Sequence, residues 1–331
     1  MFYLFEKEKI KAYIKEELNK IEKALQEERV SQNDFINQVS EYILFAGGKR
    51  IRPLLFVLSA KVCQNSSKKD FSFNLYRTSL LFEYLHTATL LHDDVVDSAE
   101  FRRGRRAART LWGNQATILV GDYLYAKALR IASELSNHQA MDVITKTTLL
   151  MSEGEVLQLL NFDKLSMSEE DYFEVIYRKT AVLMSACCEV GAIVSQASSE
   201  EQRVLSSFGC DLGLAFQIID DLLDWISEET GKDLGRDFFE GKITLPVILA
   251  LRSAKDEDQR ELKELFTKPN PTKDDFIRAR ELIEEAQGFS LARLKAEELL
   301  KKAKSALNIF KDSQAKSALN FIADFILERK S

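Results

Sequence analysis

Two segments of the chain each carry three aspartates at positions i, i+1 and i+4. HDDVVD supplies Asp93, Asp94 and Asp97, and IIDDLLD supplies Asp220, Asp221 and Asp224. On a helix the first and last of each trio lie one turn apart, with Cβ atoms about 6 Å from each other. Aspartate is a poor helix former, and the helix dipole disfavours each anion near a C-terminus by about 0.3–1 kcal/mol. For the first trio alone two readings stand. One is a solvated acidic helix end neutralised by Arg102, Arg103, Arg105 and Arg106; the other is a site for a hard divalent cation, which takes several carboxylate oxygens. The second trio, again in apolar sequence, favours the cation. Magnesium keeps waters and completes its octahedron with phosphate oxygens. Two acidic clusters on long helices facing one cavity can therefore hold several Mg2+ ions and, through them, a diphosphate.

Basic residues complete the pattern. GGKRIRP sets Lys49, Arg50 and Arg52 in a glycine-softened turn, and FRRGRR adds a guanidinium cluster just after the first aspartates. Arginine grips phosphate oxygens in pairs and lysine as a point charge. Simple salt bridging to the acidic clusters is the competing account. Taken together the residues suggest two phosphate sites, one reached through metal and one direct.

These groups need long helices to position them, and the sequence supplies them. Apolar residues recur every three or four positions with no sustained alternation, which predicts helices over 5–28, 31–45, 53–64, 73–98, 114–136, 138–161, 168–197 and 200–226. Further helices are expected over 243–254, 256–267, 273–286, 288–311 and 314–329. Only four prolines and thirteen glycines interrupt 331 residues, too few for an all-β fold. Breaks fall at 47–53, 63–72, 102–106, 230–242 and 267–275, none of them an interdomain linker. The expectation is one all-α domain with a core over 30–254 and a charged helical tail over 255–331. A net charge of −6 gives no reason to expect nucleic acid. Cys63, Cys187, Cys188 and Cys210 lack zinc-ligand spacing and read as buried thiols of a reducing compartment. The N-terminus turns charged within six residues, unlike a secretory signal, and no window approaches the roughly 20 apolar residues of a membrane span. A soluble cytoplasmic protein is expected.

At this point the sequence resembles the trans-polyprenyl diphosphate synthases. GGKRIRP, HTATLLHDD, RRG, GDYLYAKAL, EGEVLQL, YRKTAVL, FQIIDD and GKDLGRDFFEGKITLP fall in that family's order over roughly residues 42 to 250. A lone DDxxD would be weak; the ordered set is specific. The resemblance implies a bundle of antiparallel helices around a deep central cavity, usually a homodimer. It also implies head-to-tail condensation of isopentenyl diphosphate onto an allylic diphosphate such as farnesyl diphosphate. The six aspartates, Lys179 and Lys232 are then the catalytic set, with Asp93, Asp97 and Asp220 as ligands of three Mg2+ ions. Lys49, Arg52, His86 and Arg103 would hold isopentenyl diphosphate. Arg102, Lys179, Thr180, Gln217, Lys232 and Lys242 would contact the allylic diphosphate. Without the resemblance His86 reads as a satisfied core histidine, and His92 is assigned no role. After RRG this chain has RRAART, richer in arginine than the family pattern, which blurs the role of each arginine there.

The first aspartate helix also reads as a ruler. Thr89 and Ala88 lie four and five residues before Asp93, where an aromatic would close the tunnel in family members that make short chains. Small side chains there leave room, or else simply permit close helix packing. Leu81 lies about 18 Å below Asp93 at 1.5 Å per residue, and a floor is expected near it or near Leu149 and Met151. HTATLLHDDVVD is most similar to long-chain, octaprenyl-type members that make quinone side chains, and product release is expected to involve the membrane surface. A farnesyl or geranylgeranyl diphosphate synthase is the nearer alternative. A terpene cyclase would lack the second DDxxD and GGKRIRP, and a non-catalytic subunit would have degraded aspartate motifs.

Overall fold

The computed structural model describes residues 2–64, 71, 73–161, 165–226 and 234–329, with side chains from residue 7 onward. Among the described residues the structure is all-helical apart from one tiny hairpin. In chain order the elements are α1 (Phe2–Glu27), α2 (Asp34–Leu44), α3 (Ile51–Val62), α4 (Leu75–Val96), β1 (Phe101–Arg102), β2 (Arg105–Arg106), α5 (Ala108–Glu134) and α6 (His138–Asn161). After α7 (Glu169–Ile176) comes a π turn over Tyr177–Ala181, then α8 (Val182–Val194) and α9 (Ser199–Ile226). The chain finishes with α10 (Arg236–Phe239), α11 (Leu245–Ser253), α12 (Asp256–Thr267), α13 (Lys273–Glu285), α14 (Gly288–Ala306) and α15 (Gln314–Glu328).

Local chemistry sets several boundaries. The Asn33 and Asn74 side chains accept from the first free N–H groups of α2 and α4. Ser168 with Asp171, and Thr272 with Asp275, form reciprocal capping boxes at α7 and α13. Gly113, at φ +81°, breaks the helical dihedrals inside α5, so a regular helix begins at 114, where the periodicity predicts one. The helix expected over 168–197 is instead divided by the π turn.

The residues group into two compact units. The first comprises 1–148, 186–206 and 310–319; the second comprises 149–185, 207–309 and 320–331. In the first unit α4 packs mainly on α5, with α1 and α3 also against it. Its interior includes Leu54, Phe56, Phe82, Tyr84 and Leu85, all at most 1% exposed. In the second, α11 packs on α13 and α14, around Trp225, whose indole stacks on Phe276 at 5.3 Å and meets Phe238, Phe266 and Phe289 at 6.0–6.3 Å. Residues 255–309 are thus packed into the unit that carries the second aspartate trio, with Lys302 bonded to the buried Asp211 at 3.0 Å. Among the described residues no helix is long and apolar enough to cross a membrane. Cys63, Cys187 and Cys188 are buried and Cys210 partly so, all as free thiols; burial pushes the Cys210 thiol up to about 11.

Candidate active site

The first unit assembles the first aspartate trio with the basic residues around it. Asp93 is half-buried and Asp97, the C-cap of α4, is exposed. Asp94, one position round the helix, is fully buried and accepts from Arg102 Nε at 2.7 Å and faces Nη2 at 2.6 Å. Burial raises the Asp94 carboxyl above its ordinary value, opposed by the Arg102 charge. Asp94 therefore anchors Arg102, while Asp93 and Asp97 are the pair with access to a ligand.

The segment expected as a plain break at 102–106 forms a two-residue hairpin, pairing Phe101 with Arg106 and Arg102 with Arg105. Arg103 and Gly104 both take positive φ, +52° and +72°, as a type I′ turn requires. Two strand residues a side are too few for alternation to register. The turn directs Arg103 onto the Gly47 carbonyl, to which Nη1 donates. Tyr42 steadies the hairpin by donating to the Arg106 carbonyl at 2.8 Å, and Arg109 donates to the Ser98 and Ala99 carbonyls just past Asp97. Neither Tyr42 nor Arg109 carries a sequence signal for this role.

The three cations of GGKRIRP separate cleanly. Arg50 is 5% exposed and fully engaged, by Glu22 at 2.7 Å, Glu83 at 2.5 Å and the Leu44 carbonyl at 2.6 Å. It fixes the loop. Lys49 is exposed and Arg52 half-buried. His86 stands among arginines: loss of water pushes its imidazole well below the usual value, and the charges of Arg52, Arg103, Arg102 and Arg50 push the same way. It is thus neutral at pH 7 and able to donate one N–H to an anion. Neutral His86 stands with Arg52, Arg102 and Arg103 in one basic cluster within the first unit. His92, left without a role, meets the Ile118 carbonyl and Asp122 at 3.2 Å across α5.

In the second unit Lys179, Thr180, Gln217, Asp221 and Lys242 line a single cavity of about 180 Å³, with Tyr172, Asp237, Gln158 and several apolar residues. A hydrogen-bonded chain orders its wall. Thr180 Oγ1 donates to Gln217 Oε1 at 3.0 Å, Gln217 Nε2 donates to Asp221 Oδ1 at 2.8 Å, and Tyr172 donates to Asp221 Oδ2 at 2.6 Å. Lys179 donates to Gln158 at 2.8 Å and pairs with Glu155 at 3.1 Å. The π turn that carries Lys179 and Thr180 is pressed against α9: a Cβ on Gly213 would lie 2.5 Å from Ala181 Cα. Such turns recur at functional sites.

The second trio divides as the first does. Asp221 is buried, and burial followed by the Asp237 charge holds its carboxyl well above the usual range. Asp224 Oδ2 accepts from the Asp237 N–H at 2.9 Å and its carbonyl accepts from the Gly235 N–H at 2.9 Å, so it fastens the turn leading into α10. Asp220 keeps 36% of its side chain exposed. Asp237 and Tyr172, which the motif reading passes over, belong to the same wall; burial pushes Asp237 up to about 6. Lys232 lies outside the described residues. The solvent-accessible carboxylates of Asp97, exposed, and of Asp93 and Asp220, each part-exposed, are hard oxygen donors and fit Mg2+ or Ca2+. Among the described residues no three acidic, histidine or cysteine side chains converge on one point, so a cation at either trio would draw further ligands from water or substrate.

In the predicted ruler, Ala88 is fully buried with Leu85, Tyr84, Leu81 and Leu80 beneath it, and Thr89 is half-buried and donates to the His86 carbonyl at 2.8 Å. Leu149 is 61% exposed and forms no interior floor in this chain, whereas Met151 is 7% exposed.

Known proteins give this arrangement its context. The polyprenyl synthetase family model matches residues 33–283. Octaprenyl diphosphate synthase of Escherichia coli is 36% identical over 97% of this chain and 98% of its own length. A short chain isoprenyl diphosphate synthase of Methanothermobacter thermautotrophicus is also 36% identical, over 88% of this chain and 90% of its own. The crystal structure of a Caulobacter crescentus polyprenyl synthase complexed with calcium and isoprenyl diphosphate superposes with a TM-score of 0.88 at 34% identity, covering 98% of both chains. The fold, the ordered motifs and these likenesses agree, and the chain belongs to the polyprenyl synthetase family as a prenyltransferase.

Proposed function

We propose that this enzyme condenses isopentenyl diphosphate head-to-tail onto an allylic diphosphate such as farnesyl diphosphate, yielding a long, octaprenyl-type all-trans product for quinone side chains. The observation that carries the reading is the second unit's cavity, where two cations, a hydroxyl and an amide share one wall with Asp221. In this reading Lys179, Thr180, Gln217 and Lys242, with Lys232 and Arg102, hold the allylic diphosphate. Lys49, Arg52, Arg103 and neutral His86 hold the second diphosphate, His86 donating a hydrogen bond without bringing a proton that could leak. Asp93, Asp97 and Asp220 would bind Mg2+. A cation held there would supply Lewis-acid stabilisation of the charge that develops on the leaving diphosphate. The protein's own part is electrostatic: donors already fixed in place stabilise charge as it accumulates on the leaving group. No side-chain base is assigned to the final deprotonation.

Small residues at Ala88 and Thr89 support a long product, and the exposed apolar stripe Leu149, Val156, Leu159 and Leu160 on α6 supports a homodimer. We place the enzyme in the cytoplasm and treat the chain as one catalytic domain. Purified protein incubated with Mg2+, farnesyl diphosphate and labelled isopentenyl diphosphate should give octaprenyl diphosphate on chain-length separation. Products no longer than geranylgeranyl would overturn the long-chain assignment, and turnover without isopentenyl diphosphate would favour a cyclase.

A further inference from the structure

The last described residue reaches back to the second aspartate trio. Arg329, directly after α15, sets Nη1 2.7 Å from Asp220 Oδ1. Its guanidinium carbon lies 4.5 Å from the centroid of the Phe216 ring, one turn before Asp220 on α9. The Arg329 side chain is 11% exposed, yet among the described residues its Nε and Nη1 are buried without a well-aligned hydrogen-bond acceptor. Arg50 offers the contrast: more deeply buried, it has two carboxylates and a carbonyl in good geometry. A structural arginine is satisfied in that manner. Among the described residues Arg329 is held by one charge and one aromatic face.

We propose that Arg329 is a displaceable counter-ion for Asp220: it covers this carboxylate until a divalent cation takes it, and its departure frees the C-terminal end of α15. The proposal rests on Asp220 being a cation ligand. The physical reason is exclusion. A guanidinium and a divalent ion cannot share a carboxylate at hydrogen-bond distance without strong repulsion, so each weakens the binding of the other by the same factor. A free cation must therefore displace Arg329 unaided, whereas one arriving with a diphosphate brings further binding contacts. The contact thereby favours loading of cation and diphosphate together.

Calorimetric titration of substrate-free enzyme with Mn2+ tests this, comparing wild type, Arg329→Gln and Asp220→Asn, with hydrogen exchange of residues 314–329 followed in parallel. Arg329→Gln should bind Mn2+ about fivefold to tenfold more tightly, the factor expected for losing a partly buried ion pair that competes with the metal. In wild type, Mn2+ should speed exchange at the end of α15. Unchanged Mn2+ affinity in Arg329→Gln, with Asp220→Asn weakened, removes the counter-ion role and leaves the cation site standing. Unchanged affinity in Asp220→Asn removes both. Should Arg329→Gln fold poorly, the wild-type exchange result decides alone: no acceleration by Mn2+ overturns the proposal.

Discussion

Gly213→Ala isolates the contact between α9 and the π turn. The new Cβ would lie 2.5 Å from Ala181 Cα and 2.9 Å from Ala181 Cβ, where ordinary carbon contacts are about 3.5–4.0 Å. The turn must therefore retreat by about 1 Å or α9 must bend. Ala181 follows Thr180 directly, so the 3.0 Å bond from Thr180 to Gln217 breaks and Lys179 shifts with it. Overpacking of this kind costs about 1–3 kcal/mol of stability. A misplacement of about 1 Å in a positioning group can cost up to about 100-fold in rate, and kcat/KM for the allylic substrate is expected to fall between 10- and 100-fold. Gly209→Ala is the control. Its Cβ would meet the Met184 carbonyl at 2.5 Å, one turn earlier on α9 and beyond the π turn. Urea denaturation should give both variants a comparable loss, while steady-state kinetics should separate them. Equal kinetic losses, or a Gly213→Ala enzyme that is destabilised yet kinetically normal, would refute the assignment of Lys179 and Thr180 to substrate.

Asp237 gives a pH signature. Its folded-state value of about 6, raised mainly by burial, exceeds the ordinary 3.8, so the folded chain binds the proton more tightly than the unfolded one. Stability should fall as pH rises from about 4 to 6, by at most about 3 kcal/mol; Asp237→Asn should flatten that stretch of a urea-midpoint profile, and an unchanged profile would count against it. Ala88→Phe, at a fully buried position, should shorten the product sharply by chain-length separation; an unaltered product distribution removes the ruler. Asp94→Asn leaves Arg102 without its carboxylate and should cost about 2–3 kcal/mol, less than a fully buried pair because Arg102 is 24% exposed. The same variant should raise KM for diphosphate substrates, and a normal KM would show that Arg102 stays in position without the pair.

The helices were legible because a 3.6-residue period is clear in α2, α9, α12 and α15, and because long apolar stretches with few prolines or glycines mark those such as α4 and α6 that lack it. The unequal work within each aspartate trio was not read from the motif, although helical rotation contains it. Asp93 and Asp97 share a face, while Asp94 turns toward the side buried with Leu91. In loops that logic is lost. Nothing in GGKRIRP marks Arg50 as the arginine fastened by Glu22 and Glu83, since both partners lie more than 25 residues away. The π turn depends on tight packing at Gly213 and at Gly154, whose Cβ would lie 2.8 Å from Arg178 Cβ; no period announces it. Arg329 is more than 100 residues from the carboxylate it meets.

The hairpin between α4 and α5 has a practical corollary for engineering. With two residues per strand and a two-residue turn, it has no slack: one inserted residue would rotate the downstream arginines to the opposite side and detach Arg103 from Gly47. Transposon or loop-grafting libraries should therefore find this stretch intolerant to length changes while still accepting single substitutions at the exposed Arg105, a pattern opposite to that of most surface loops.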